Sequence, residues 1–213
     1  MKYSNGLNNF DKVYYINLDH RIDRYKHINS ELSKTNIDVN KIQKINGIYI
    51  QNFGIMGCAK SHILALETFL KSPVENQTCI IFEDDFEFTV NQDTVNKLIN
   101  NVFNNLNKFD VLMFASNTLK EQLTIFTFLT KILDAQTLSG YAVSRKFATL
   151  LLNNYKESTE LLEKIGYKYH PYCFDIYMKK LQPLSDWYCL NPKIGKQIIS
   201  YSDIENKIVD YKC

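Results

Sequence analysis

Glycine and proline are scarce in this 213-residue chain, seven and four respectively, and no Pro/Gly-rich linker, internal repeat or low-complexity block interrupts it. One domain spanning 1–213 is the expectation, long enough to bury a substantial core. Neither sign of charge dominates: 25 basic residues against 23 acidic ones give a formal charge of +2, and no long Lys/Arg block occurs. That balance argues against a nucleic-acid partner. No apolar run approaches the roughly 18–20 residues that a membrane-spanning helix needs, and the opening Met1-Lys2-Tyr3-Ser4-Asn5-Gly6 lacks the apolar core of a signal peptide. The expected location is cytoplasmic. Five cysteines, Cys58, Cys79, Cys173, Cys189 and Cys213, are odd in number, scattered and without CxxC spacing, so no disulfide scaffold is expected and free thiols are. Abundant Asn, Ile, Lys and Tyr point to an AT-rich genome rather than to a function.

Strands alternate with amphipathic helices along the chain. Apolar runs predict strands over 13–18, 42–45, 78–82, 110–115 and 141–144. Helical spacing predicts helices over 22–34, 58–70, 94–106, 146–154, 160–164 and 174–181, with 53–57 as a glycine-bearing loop. Segment 119–140 fits a hairpin or a flap over an acceptor. This order predicts an α/β, Rossmann-like, mostly parallel central sheet flanked by helices on both faces.

The chemistry concentrates at Cys79-Ile80-Ile81-Phe82-Glu83-Asp84-Asp85, where an apolar strand ends in three consecutive acids. Ligands of parallel α/β sheets bind beyond the C-terminal ends of the strands. Two carboxylates about 4 Å apart repel by roughly 4 kcal/mol at an effective dielectric near 20, so such a cluster invites a cation. Oxygen ligands favour a hard ion, Mg²⁺ or Mn²⁺. The other reading of the run alone is a solvated turn whose acids cap the next element.

Five ordered segments span about 190 residues. Val13-Tyr14-Tyr15-Ile16-Asn17-Leu18-Asp19-His20-Arg21-Ile22-Asp23-Arg24 reads as "INLD-x-R-x-DR", and Gly54 to His62 as "GxxGCxxSH". Phe82-Glu83-Asp84-Asp85 is similar to "LEDD", and Gly140-Tyr141-Ala142-Val143-Ser144-Arg145 to "G-x-AY-x-[IV]SR". Pro192, Gln197 and Ser202-Asp203-Ile204 are similar to a "P…Q…SDI" finish. In this order the five segments resemble glycosyltransferase family 25, which includes bacterial lipooligosaccharide and collagen galactosyltransferases. The resemblance implies a GT-A-like fold and an inverting transfer of galactose or glucose from UDP-galactose or UDP-glucose. The implied acceptor is a hydroxyl on a glycan, lipooligosaccharide or collagen-like protein. Relatives also occur in large DNA viruses with AT-rich genomes, toward which the composition leans.

The resemblance also implies roles. Mn²⁺ (or Mg²⁺) would bridge the donor diphosphate and stabilise its departing charge. Asp85 would be its principal ligand, Glu83 would reach metal-bound water or ribose, and Asp84 would be a second ligand or a structural acid. Arg21 and Arg24, with their forked donors, would meet diphosphate or base; a solvated helix face is the alternative. Asn17 and Asp19 would meet uracil or ribose, and His62 would contact phosphate, orient an acid, or serve as a structural histidine. Ser61 would cap a helix, and Gly54 and Gly57 would shape the turn before it. Gly140 and Tyr141 would lie beneath the sugar, Tyr141 being equally readable as core. Gln197 and Asp203 would bind pyrophosphate-metal or form a lid, and His170 would supply a third ligand. Inversion needs one carboxylate to take the acceptor proton. Asp175, in a segment resembling the family's "PVD", is the candidate, although Cys173-Phe174 replace Pro-Val and a helix N-cap role competes. Asp203 and Asp186 are rivals. Two other readings of the same residues are a nucleotide-sugar or glycan-binding module without turnover and a metal-dependent phosphohydrolase.

Overall fold

The computed structural model describes residues 6–202 and 207–210. Its strands are β1 (Lys12–Asn17), β2 (Ile42–Asn46), β3 (Thr78–Glu83), β4 (Phe86–Phe88), β5 (Val111–Leu123), β6 (Leu129–Ser144), β7 (Trp187–Leu190), β8 (Gly195–Gln197), β9 (Ser200–Ser202) and β10 (Lys207–Val209). Six of them form the central sheet in the order β2-β1-β3-β6-β5-β7. β1 pairs in parallel with β2 and β3, and β5 with β7, while β6 runs antiparallel to its neighbours. The sheet is thus mostly parallel, as the alternating pattern predicts.

The helices are α1 (Ile22–Ser33), α2 (Gly54–Lys71), α3 (Gln92–Asn105), α4 (Arg145–Ile165) and α5 (Phe174–Tyr177). Strand side chains alternate between faces, and both faces are covered. Tyr14, Ile16, Cys79 and Ile81 share one core with Leu66 and Phe69 of α2 and Leu151 of α4. Val13, Tyr15, Ile80 and Phe82 share the other with Ile28 of α1 and Ile99 of α3. Cys79 is a fully buried core residue, and the four described cysteines are free thiols. Among the described residues no helix is long and apolar enough to cross a membrane.

Several boundaries differ from those expected. The segment 119–140 is a hairpin, one of its two expected forms: it is the distal part of the β5–β6 hairpin, and Leu129, Thr130 and Lys131 also pair with β7. The helices expected over 146–154 and 160–164 are one, α4, capped by the Ser144 hydroxyl and ended by Gly166 at φ 80°. Of 174–181, only Phe174–Tyr177 is α-helical, and a 3-10 turn, Met178–Leu184, follows it.

The 53–57 loop is also corrected: α2 begins at Gly54, so Gly57 lies in its first turn. A Cβ at Gly57 would stand 2.3 Å from the Ile48 carbonyl oxygen. Glycine here permits close approach of two backbones rather than an unusual turn. Gly57→Ala is expected to destabilise the protein by about 1–3 kcal/mol or more, because the obstructing atom is backbone; urea unfolding of the variant checks this.

Arg145, the last residue of the "SR" segment, has a structural task. Its guanidinium donates to the carbonyls of Phe69, Leu70, Ser72, Pro73 and Asn76 at 2.5–3.2 Å. These include carbonyls left without partners at the C-terminal end of α2, where a cation also meets the negative end of the helix dipole.

Candidate functional site

β1, β2 and β3 point their C-terminal ends into a cleft lined by Asn17, Gly47 and Glu83 from those ends and by Arg21, Arg24 and Asp85. This is the position that parallel topology favours for ligands. The Ser61 hydroxyl accepts from the Ile48 backbone N–H at 2.8 Å and donates to the Gly57 carbonyl at 2.7 Å. It therefore fastens the 48–50 wall of the cleft to α2 instead of capping the helix.

The three acids fan apart. Asp84 accepts from Asn17 Nδ2 at 2.8 Å and from Arg24 Nη1 at 3.1 Å. Asp85 Oδ2 lies 2.9 Å from Arg24 Nη1 and accepts from Gln197 Nε2 at 2.9 Å. Glu83 turns toward α2, 3.1 Å from His62 Nε2 and 3.9 Å from Cys58 Sγ. Burial pushes Asp85 up to about 7, with Glu83 and Asp84 adding to the rise and Arg24 opposing it. Asp84 is raised too, chiefly by burial.

Asp85 Oδ1 is buried and has no hydrogen-bond partner. A buried carboxylate oxygen without a donor is costly, and it is the kind of ligand a hard divalent cation takes. On that observation the residues present fit such an ion at Asp85.

Arg24 also donates to Ser200 Oγ at 2.7 Å and the Tyr201 carbonyl at 2.9 Å, and Arg21 reaches the same carbonyl at 3.2 Å. Gln197 is held opposite Phe86 by the β4–β8 pairing. The arginines and the acid turn thereby draw the C-terminal segment across the cleft.

A second cavity adjoins the first and shares Cys58, Glu83 and Gln197 with it. Asp175 and His170 line it. Asp175 is raised above the ordinary carboxylate range, mainly by burial, with the Thr137 backbone opposing the rise and Glu83 adding to it. Thr137 has φ 67°, a left-handed conformation rare for a β-branched residue. It sits where the β5–β6 register shifts between Ala115 and Asn117. Such strain persists where surrounding structure imposes it, often beside a site, and here Thr137 and Asp175 line the same cavity. The helix cap is Cys173, so Asp175 lies within the first turn of α5 and is not its N-cap.

Of the residues singled out in the sequence, Asn17, Arg21, Arg24, Gly54, Ser61, His62, Glu83, Asp84, Asp85 and Gln197 all line the first cleft. Asp19 lies outside the lining, exposed and paired with Lys44 at 2.7 Å. Gly140 sits in the core, where a Cβ would stand 2.5 Å from the Phe86 ring. Tyr141 is fully buried, its hydroxyl 3.2 Å from His62 Nδ1. Asp186 pairs with Lys108 at 3.3 Å, away from both cavities. Asp203 lies outside the described residues. Sequence reasoning missed Cys58 and Thr137. The first had a signal: the helix expected over 58–70 already puts Cys58 and His62 four residues apart on one face.

No family model and no curated protein matches the sequence. Among solved structures, this chain is similar to A197 from STIV, with 13% identity and a TM-score of 0.49 over 94% of this chain and 93% of that one. It is also similar to a glycosyltransferase involved in the glycosylation of the major capsid of PBCV-1. That alignment has 8% identity and a TM-score of 0.54 over 92% of this chain and 96% of that one. The chain therefore has the α/β architecture of a solved glycosyltransferase along nearly its whole described length, with a mostly parallel sheet and helices on both faces.

Proposed function

We propose that the protein is an inverting, metal-dependent glycosyltransferase of the family 25 type. It would move galactose or glucose from a UDP-sugar to a hydroxyl on a glycan, lipooligosaccharide or protein. The observation that carries this reading is the pair of adjoining cavities, one holding two arginines and the unpartnered Asp85 oxygen, the other holding the raised carboxyl of Asp175.

In this reading the first cleft seats the nucleotide diphosphate, with Arg21 and Arg24 meeting its charge by forked hydrogen bonding and Asn17 facing the nucleoside. Asp85 would hold Mn²⁺ or Mg²⁺, which when bound neutralises charge on the leaving diphosphate. The acceptor enters the second cavity. Its hydroxyl oxygen forms the new bond to the sugar's anomeric carbon as the bond to the β-phosphate oxygen breaks, its proton passes to Asp175, and UDP leaves with the electron pair. Asp84, held by Asn17 and Arg24, keeps the arginine in place.

The experiment is calorimetry with UDP and measurement of UDP release from UDP-galactose and UDP-glucose, with and without Mn²⁺, across hydroxyl acceptors. Binding of UDP and cation-dependent release are expected. Absence of both sinks the reading, and binding without release from any donor leaves a binding module instead.

A further inference from the structure

Cys58, His62 and Glu83 form a second constellation at the seam of the two cavities. Among the described residues, they are the His/Cys/Asp/Glu group whose ligand atoms all lie within 4.8 Å of one another. We propose that this thiol, imidazole and carboxylate bind a borderline-soft divalent cation of the Zn²⁺ class, at a site separate from the hard-ion position at Asp85.

The first argument is geometric. Tetrahedral zinc with bonds near 2.0–2.3 Å separates a nitrogen and an oxygen ligand by about 3.3 Å, and a sulfur and an oxygen ligand by about 3.5 Å. The corresponding distances are 3.1 Å from His62 Nε2 to Glu83 Oε1 and 3.9 Å from Cys58 Sγ to Glu83 Oε1. Closing that sulfur gap takes a few tenths of an ångström. Cys58 and His62 are one helical turn apart on α2, and Glu83 is the last residue of β3. Two regular elements therefore hold the set.

The second argument is the support behind the histidine. His62 is fully buried, its Nδ1 is 3.2 Å from the Tyr141 hydroxyl, and its ring stacks on Tyr141 at 5.8 Å between centroids. A metal-binding histidine characteristically fixes its other nitrogen on a polar partner, which sets tautomer and ring orientation. Here Nδ1–H would donate to Tyr141, leaving the Nε2 lone pair for the cation. The donor set also selects the ion: thiolate and imidazole favour Zn²⁺ over Mg²⁺ or Mn²⁺, whereas the oxygen of Asp85 has the opposite preference. Three protein ligands leave a fourth position open. Cys58 and Glu83 line both cavities, so that position faces the seam, where water, an acceptor hydroxyl or a phosphate oxygen completes the sphere. On binding, the Cys58 proton is released to solvent.

Co²⁺ titration of the full chain tests the site. The wild type is expected to bind Co²⁺ with a thiolate-to-cobalt charge-transfer band and the intense visible bands of four-coordinate cobalt, both bleached by Zn²⁺. Cys58→Ser should lose the charge-transfer band, and Tyr141→Phe should keep it while weakening affinity by about 10–100-fold. Asp85→Asn should keep it unchanged. No thiolate band in the wild type, or a band surviving in Cys58→Ser, overturns the proposal. Because a variant could fail to fold, a wild-type measurement stands beside them: Zn²⁺ should slow alkylation of Cys58, mapped by peptide mass, and unchanged alkylation also overturns it. UDP binding is read separately, so the band can stand while the donor reading falls, and the reverse.

Discussion

Replacing Asp175 with Asn is expected to cut sugar transfer by about 10²–10⁴-fold, the usual contribution of a positioned general base, while UDP binding measured by calorimetry is unaffected. The split follows from the two cavities: Asp175 lines the second, and the arginines and Asp85 line the first. The pH dependence has a definite sign. Burial, with Glu83 adding, raises Asp175 although the Thr137 backbone opposes it. A base must be deprotonated to work, so transfer should fall as pH drops through that raised value. The acid limb of the rate profile should therefore lie above the ordinary carboxylate range, and the residual rate of Asp175→Asn should lack that limb. Full activity in the variant would send the search to Asp203.

Asp85→Asn should produce opposite effects on activity and stability. Several kcal/mol of lost charge stabilisation corresponds to roughly a 10³-fold or larger fall in transfer, together with loss of any Mn²⁺-induced rise in melting temperature. Yet the variant, without cation, should melt higher than the wild type at pH 8. Asp85 is raised from 3.8 to about 7 in the fold. Between those values the folded state binds more protons than the unfolded one, so stability falls as pH rises through the window, and the cost is complete above about 7. A shift of about three units, already net of the lowering by Arg24 and Gln197, corresponds to at most ~4 kcal/mol. Asparagine keeps an oxygen for those partners and removes the buried charge. At about 2–4 °C per kcal/mol for a chain of this size, thermal melts at pH 5 and pH 8 should show a gain confined mainly to the higher pH. Retained activity and cation response would refute the assignment of the ion to Asp85.

The sheet was legible from the sequence wherever burial on both faces writes an uninterrupted apolar run, as in Tyr14, Tyr15 and Ile16 or Ile80, Ile81 and Phe82. Helices with one apolar face, such as α1 and α3, were equally visible. The short strands β8, β9 and β10 were not, because a pairing of three residues leaves no periodicity to detect. The start of α2 was masked by two glycines that ordinarily mark loops, when Gly57 answers to the carbonyl of Ile48, a neighbour seen only in three dimensions. The acidic run could be recognised as chemistry but not apportioned, since Glu83, Asp84 and Asp85 take different partners only once α1, α2 and β8 surround them.

By itself the sequence determined an α/β chain that ends a buried strand in acids and places arginines after another strand, because side-chain periodicity and residue chemistry are local properties. The tertiary structure decided which groups meet: Arg24 with Asp84 and Asp85, Cys58 and His62 with Glu83, and the strained Thr137 backbone with Asp175. These encounters join residues far apart in the chain, and the energies that matter there, desolvation and Coulomb interaction across a few ångströms, depend on distance and burial rather than on position in the sequence.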